Sequence, residues 1–299
     1  MSEYVKDWYQ WNYRPQRAAR PAWFKAWPGG ARLAVTIKLM HEWQSLPSGA
    51  ARGGMPAGSQ TPHDYLSLGQ REYGFKAGVW RLMDVLDRHG VKATAMVSGL
   101  AAELWPDSVR ALKDRGHEIA THQWDQAVHP PVHKSREEER GSLLRSMAAI
   151  ARVTGERPWG YFSPGPRCSP NTLEIVAAED FVWTGDYQDH DIPYVIDVEG
   201  KQLISVGFVR PSYTDNDLTP LGLAAGLRQL TDAFDATHDE SARHPMKFAY
   251  GVHTHISGGP GMAKLLDDFL RHAARREGVW FCTSMEMARF WLENDRRQS

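Results

Sequence analysis

Residues 33–43 read LAVTIKLMHEW. The run LAVTIKL, Leu33 to Leu39, follows the turn Pro28-Gly29-Gly30 and is apolar enough to read as a buried strand. Directly after it come Met40, His41, Glu42 and Trp43. A carboxylate and an imidazole delivered by the end of a buried strand raise two questions: which fold surrounds the strand, and what those groups do there.

Working outward, strand and helix signals alternate. From Val79 the positions Val79, Leu82, Met83 and Leu86 keep the i, i+3, i+4, i+7 spacing of one helix face, and Gly90 supplies a stop. KATAMV (Lys92 to Val97) reads as a strand, Ser108 to Arg115 as a helix, and HEIAT (His117 to Thr121) as the next strand. Ser135 with Glu138 forms a capping box for a helix carrying Leu143, Leu144, Met147 and Ile150 that ends at Gly155. A strand near Gly160 to Ser163, a helix opened by Ser169 and Pro170, and a strand from Phe181 follow. QLISVGFV, a helix around Leu221 to Ala236, KFAYGVH, a helix around Met262 to Arg275, VWFCT and a last helix capped by Thr283 and Glu286 complete the series. Such alternation predicts parallel βαβ units, closed as a barrel or open as a doubly wound sheet. The aromatic, proline-rich residues 1–30 read as an extended arm, residues 31–299 as a single catalytic barrel domain, and Ser45 to Gln70 as a long loop.

Composition narrows the function. The 299 residues carry 35 Lys and Arg against 36 Asp and Glu, a formal charge of −1, which gives no footprint for nucleic acid or for an anionic membrane. Neither a membrane span nor a signal peptide is recognisable, so a cytoplasmic protein is expected. Cys168 and Cys282 are far apart and lack CxxC spacing, and both read as reduced thiols. No GxGxxG or GxxxxGK[ST] follows the first strand.

In α/β barrels and open sheets alike, chemistry sits at the carboxyl ends of the strands. Those ends carry Met40, His41, Glu42 and Trp43; His122, Trp124 and Asp125; the loop SPGPRCSPN with Arg167; Asp186 and Asp189; and His253. Acid, imidazole and guanidinium groups therefore converge on one rim.

With Glu42 after the first strand, the segments WPGGARLAV, HEIATHQW, GPRCSPNT, DYQDHDIPY and VWFCTSMEMARFW give a chain that resembles the polysaccharide deacetylase superfamily. Within it, the branch of metal-independent allantoinases and cyclic imide hydrolases is most similar. The resemblance implies an α/β fold, a distorted (β/α) barrel of about seven strands, assembled as a homo-oligomer, a dimer or tetramer. It also implies a hydrolase. The deacetylases hold a divalent ion with an Asp and an HxxxH pair, but Gln126 stands four residues after His122, and His41 replaces the basic Asp. His129 and His133 have the HxxxH spacing but flank Pro130-Pro131, which rules out one regular helix face.

The expectation is therefore water attack on a ring carbonyl of a small cyclic amide or imide, with no cofactor. His41, Glu42 or His122 would act as base, Arg167 would bind the second carbonyl or Glu42, and His253 would protonate the leaving nitrogen. Met40, Trp43, Trp124, Asp125 and Asp189 are the expected substrate-binding residues. Two alternatives stand beside it: a metal-dependent N-deacetylase of an acetylated amino sugar, holding one divalent ion such as zinc through Glu42, His122 and a loop histidine or Gln126, and a barrel that binds a ligand without catalysis.

Overall fold

The computed structural model describes residues 20–45, 65–209 and 213–296. Its ten strands lie in one sheet, in the order β6-β7-β5-β4-β3-β2-β1-β9-β8, with β10 also paired to β1. These are β1 Leu33–His41, β2 Thr94–Val97, β3 Glu118–Thr121, β4 Gly160–Tyr161, β5 Trp183–Thr184, β6 Tyr194–Val198, β7 Lys201–Ser205, β8 Tyr213–Thr214, β9 Met246–His253 and β10 Val279–Phe281. Every pairing is parallel except the β6–β7 hairpin. About seven strands were expected from the resemblance. The strands that the sequence pattern does not announce are β6, the antiparallel partner of β7, and β8, whose two residues are too few to leave a periodic signal.

Strand β1 is the axis of the molecule. It pairs along its length with β9, while β10 takes its first half and β2 its second on the other side. All nine of its residues are buried, so its alternation separates two cores rather than core from solvent. Leu33, Val35, Ile37 and Leu39 face outward into a core shared with the helices Val79–Arg88 and Pro260–Ala273. Each such side chain contributes about 1.5–3 kcal/mol relative to exposure. Ala34 and Met40 belong instead to an inner core with Met96, Ala120, Phe162, Trp183, Phe208 and Ala249.

Two buried lysines bridge the open side of the sheet. Lys38 Nζ donates to the Val206 carbonyl at 2.7 Å and lies 4.8 Å from the centre of the Phe208 ring. Lys247 Nζ donates to the carbonyls of His190 and Gly207 at 2.7 and 2.9 Å. Strand β7 and the segment after it are thereby tied to β1 and β9 by side chains where no backbone ladder runs. Burial, together with the neighbouring Lys247, lowers the Lys38 amine to about 7, and burial lowers Lys247 to about 8.

At the opposite end from the candidate site, Phe24 and Trp27 pack with Trp291 at ring separations of 4.8 and 6.3 Å, and Trp27 Nε1 donates to the Met246 carbonyl. Residues 20–30 of the expected arm thus cover the floor of the barrel, while residues 1–19 lie outside the described residues. The helix Tyr65–Tyr73 occupies the end of the segment expected to be a loop, and residues 46–64 lie outside the described residues. That helix continues through a π-helical turn, Gly74–Gly78, into Val79–Arg88. A second unexpected helix, Gly99–Leu104, precedes Pro106–Asp114 and is capped by the Ser98 hydroxyl. No helix among the described residues is long and apolar enough to cross a membrane.

Candidate functional site

Register brings the strand ends together. Met40 pairs with His253 on β9 and with Met96 on β2, and Met96 pairs with Ala120 on β3. Glu42 and His122, each two residues past its paired position, and His253 itself then emerge at one edge of the sheet. Because side chains alternate, Glu42 shares the inward side of Met40, and His41 between them points the other way.

Glu42 is 4% exposed and His122 1% exposed. His122 Nε2 lies 3.2 Å from Glu42 Oε2, out of line for a full hydrogen bond, so this buried oxygen has no hydrogen-bond partner among the described residues. His122 Nδ1 donates to the Phe162 carbonyl at 2.6 Å, and its ring stacks on Phe162. Since a carbonyl only accepts, that bond turns Nε2 toward the carboxylate. Burial by itself would raise the Glu42 pKa, but the contact with His122 and the charges of His253 and His122 outweigh it and hold the carboxyl at about 2.

Two cationic groups approach the other oxygen. His253 Nε2 is 3.9 Å and Arg71 Nη1 3.8 Å from Glu42 Oε1. His253 Nδ1 is bonded at 2.5 Å to Oδ1 of the fully buried Asp215, whose Oδ2 accepts from the His253 amide and the Ser257 hydroxyl. Burial pulls the His253 pKa down, but the charge and hydrogen bond of Asp215, with the charge of Glu42, raise it to about 9. His253 is therefore an imidazolium at neutral pH. Arg71 Nη2 donates to Gln44 Oε1 at 2.6 Å, and Nη1 lies 3.3 Å from His255 Nε2. Burial, then Arg71 and His253, lower His255 to about 4, leaving it neutral and able to accept from Arg71.

Asp215 and Arg71 were not among the residues expected from sequence. Asp215 reaches the site because β8 pairs with β9, Thr214 opposite Gly251, which carries the following residue to the level of Val252, next to His253. A signal was present: Thr214 and Asp217 form a capping box, which accounts for Asp217 and leaves Asp215 without a local role. Arg71 had none, since Gly69 interrupts the pattern of its helix.

Several expected residues are placed elsewhere. His41 is fully buried on the outward side, where Nε2 donates to Ser108 Oγ at 2.8 Å and the ring lies 4.4 Å from Phe75. Burial, against an upward pull from Glu42, lowers it to about 3. Arg167 is exposed and touches His129 at 3.4 Å rather than Glu42. Its loop is anchored at both ends: Asp186 accepts from Ser163 and Cys168, and Glu139 from Ser169 and Thr172. The middle of the loop consequently faces out.

Gln123, with φ of 58°, turns the chain immediately after His122. The alternation is broken there, and Trp124 packs on Gly99 and beneath the Arg145 guanidinium instead of walling the site. Trp43 packs on Phe75 and Trp105 in the outer core. Asp125 accepts from the Ser45 amide and hydroxyl and from the Ala127 amide, tying the segments after β1 and β3 together. Asp189 is exposed and accepts from the Tyr194 hydroxyl. Met40 lies in the inner core below Glu42. Both cysteines are free.

The deacetylase pattern implies a divalent ion here. Among the described residues Glu42 Oε2 and Gln126 Oε1 are both buried oxygens without hydrogen-bond partners, but the rest of the donor set does not fit such an ion. An amide oxygen replaces the second imidazole, and among the described residues no group of three His, Cys, Asp or Glu side chains is arranged to hold a metal. A guanidinium and an imidazolium already stand within 4 Å of the one carboxylate and would repel a dication.

Known proteins match both the fold and part of the sequence. Puue allantoinase superposes with a TM-score of 0.78 at 27% identity, over 89% of this chain and 92% of its own. A probable polysaccharide deacetylase from Pseudomonas aeruginosa PAO1 gives a TM-score of 0.76 at 26% identity, over 89% and 93%. In sequence, the peptidoglycan deacetylase of Helicobacter pylori is 22% identical over 82% of this chain and 93% of its own length. Residues 71–181 match the polysaccharide deacetylase family, and the sheet with its flanking helices is a polysaccharide deacetylase-like α/β fold.

Proposed function

We propose that this protein is a hydrolase that opens the ring of a cyclic amide or imide by water attack, without a metal ion. The observation that carries the reading is the grouping of one buried carboxylate, Glu42, with the imidazole of His122 and the Asp215-backed imidazolium of His253. The structural likeness to an allantoinase supports it. So does the replacement of metal-ligand imidazole by an amide at Gln126.

Glu42 takes the proton of the attacking water, held in line by His122. A carboxylate at about 2 is a weak base in the resting site, but its acidity is imposed by nearby positive charge. As negative charge grows on the substrate, it shares those cations and the basicity of Glu42 rises. His253 stands on the far side of Glu42 Oε1 and gives its proton to the departing nitrogen. The water oxygen bonds to the carbonyl carbon, the C–N bond breaks, and the ring opens to a carboxylic acid whose other end is an amide when the substrate is an imide and an amine when it is a simple cyclic amide.

The test is a hydrolysis screen of allantoin, hydantoin, succinimide, phthalimide and dihydrouracil in metal-free buffer. Ring opening of at least one is expected. Failure with all of them, at any metal supply, overturns the reading. Hydrolysis of an N-acetyl group on an amino sugar is the second reading, favoured by the family match over residues 71–181, and an N-acetylglucosamine oligomer in the same screen decides between them.

A further inference from the structure

Arg71 belongs to no strand end, yet its guanidinium stands beside Glu42 and His255. It is 19% exposed, so it is neither a surface charge nor sealed in the core. Its mount is rigid. The helix Tyr65–Tyr73 runs into the π-helical turn Gly74–Gly78, and that turn presses on the loop carrying His253 and His255 without space for a side chain. A Cβ on Gly74 would come within 2.8 Å of the His255 amide nitrogen, and one on Gly78 within 2.0 Å of the Thr254 carbonyl oxygen. Arg81 adds a hydrogen bond to the Gly258 carbonyl. Single π-helical turns inside helices often mark functional positions. Here the turn fixes Arg71 on the same side of Glu42 as His253, the side where the leaving nitrogen is protonated.

Arg71 is 3.8 Å from Glu42 Oε1, beyond hydrogen-bond length. Gln44 and His255 are among the groups that hold it. A group held near a carboxylate but off hydrogen-bond distance suits an oxygen brought in by substrate. In a cyclic imide the nitrogen carries a second carbonyl, and when the C–N bond breaks the electron pair spreads onto that oxygen before His253 protonates the nitrogen. A guanidinium recognises such an oxygen with charge-assisted hydrogen bonds.

We propose that Arg71 is a substrate-binding residue that takes the second carbonyl oxygen of an imide, so that the site selects imides over lactams. The proposal rests on the ring-opening function stated above. Arg167, expected in this role, is turned out of the site by its loop anchors.

The test compares wild type with Arg71→Gln and Arg71→Lys on succinimide, and measures inhibition by 2-pyrrolidinone, which has the same ring and one carbonyl. Wild type is expected to bind succinimide ~10- to 100-fold more tightly than the lactam, the usual worth of a hydrogen bond to a charged group. Arg71→Gln should bring that ratio close to unity, mainly through KM, with the basic limb of the pH profile moved only slightly upward as a like charge leaves His253, and Arg71→Lys should restore part of it. An active Arg71→Gln enzyme that keeps the wild-type ratio overturns the proposal. So does a variant whose kcat falls at constant KM with a displaced pH limb, since Arg71 would then act through Glu42 or His253. A wild type that opens no cyclic amide fails the function reading itself, and the assignment of Arg71 with it.

Discussion

His41 and His253 end adjacent, paired strands, and both are withdrawn from water, but their surroundings drive them in opposite directions. His41 faces Phe75 and the Ser108 hydroxyl, and burial lowers it to about 3. His253 faces the carboxylates of Asp215 and Glu42, which overcome burial and raise it to about 9. One imidazole is a neutral packing group and the other a permanent acid at neutral pH. The difference lies in whether a buried charge is present to pair with the ring, which residue type and strand position do not specify.

The sharpest way to break this contrast is to remove the charge at its centre. Glu42→Gln is expected to lower ring opening by ~10³-fold, within the range for losing a general base, with circular dichroism unchanged. Retained turnover would place the base elsewhere. Asp215→Asn comes next: His253 keeps its place but loses its counter-charge. Turnover should fall by ~10²-fold, and the basic limb of kcat/KM should move from about 9 toward 6.5, the ordinary value for histidine.

In wild type the sign follows from a proton held in the active form. Activity should be level through neutral pH and fall about tenfold per pH unit above about 9. Because the folded value is raised, the stability contributed by this pair is fully present below 6.5 and is lost as pH rises through about 9. A stability curve flat between pH 7 and 10 in wild type, and unchanged in Asp215→Asn, would contradict the pairing.

His41→Ala sharpens the other half of the comparison. It should cost about 2 kcal/mol of stability by opening a cavity beside Phe75 while leaving kcat within about twofold. A large loss of kcat would return His41 to the site. The smallest effect is expected from chelation: dialysis against EDTA should leave ring opening unchanged, and stoichiometric bound zinc with activity lost on its removal would overturn the metal-free mechanism.

The candidate site was partly legible before the structure. Glu42, His122 and His253 stood out as polar groups after apolar strands, and the structure brings these three together. His41 was misplaced because β1 is buried on both sides, so a polar residue at its end could face either core. Trp124 was misplaced because the left-handed turn at Gln123 breaks the alternation that sequence patterns assume. Asp215 and Arg71 were missed because one depends on the β8–β9 register and the other on a helix that only the Thr254–Gly258 loop makes specific.

Sequence by itself determined the alternation of strands and helices, the buried character of β1 and the absence of the second metal histidine at Gln126. Each is local, since periodicity, capping and residue identity act over a few positions of chain. Tertiary structure alone decided which strand ends share an edge, which histidine meets a buried carboxylate and which arginine stands beside Glu42. Those outcomes depend on strand register and close backbone packing between residues dozens to about two hundred positions apart, and no local pattern encodes them.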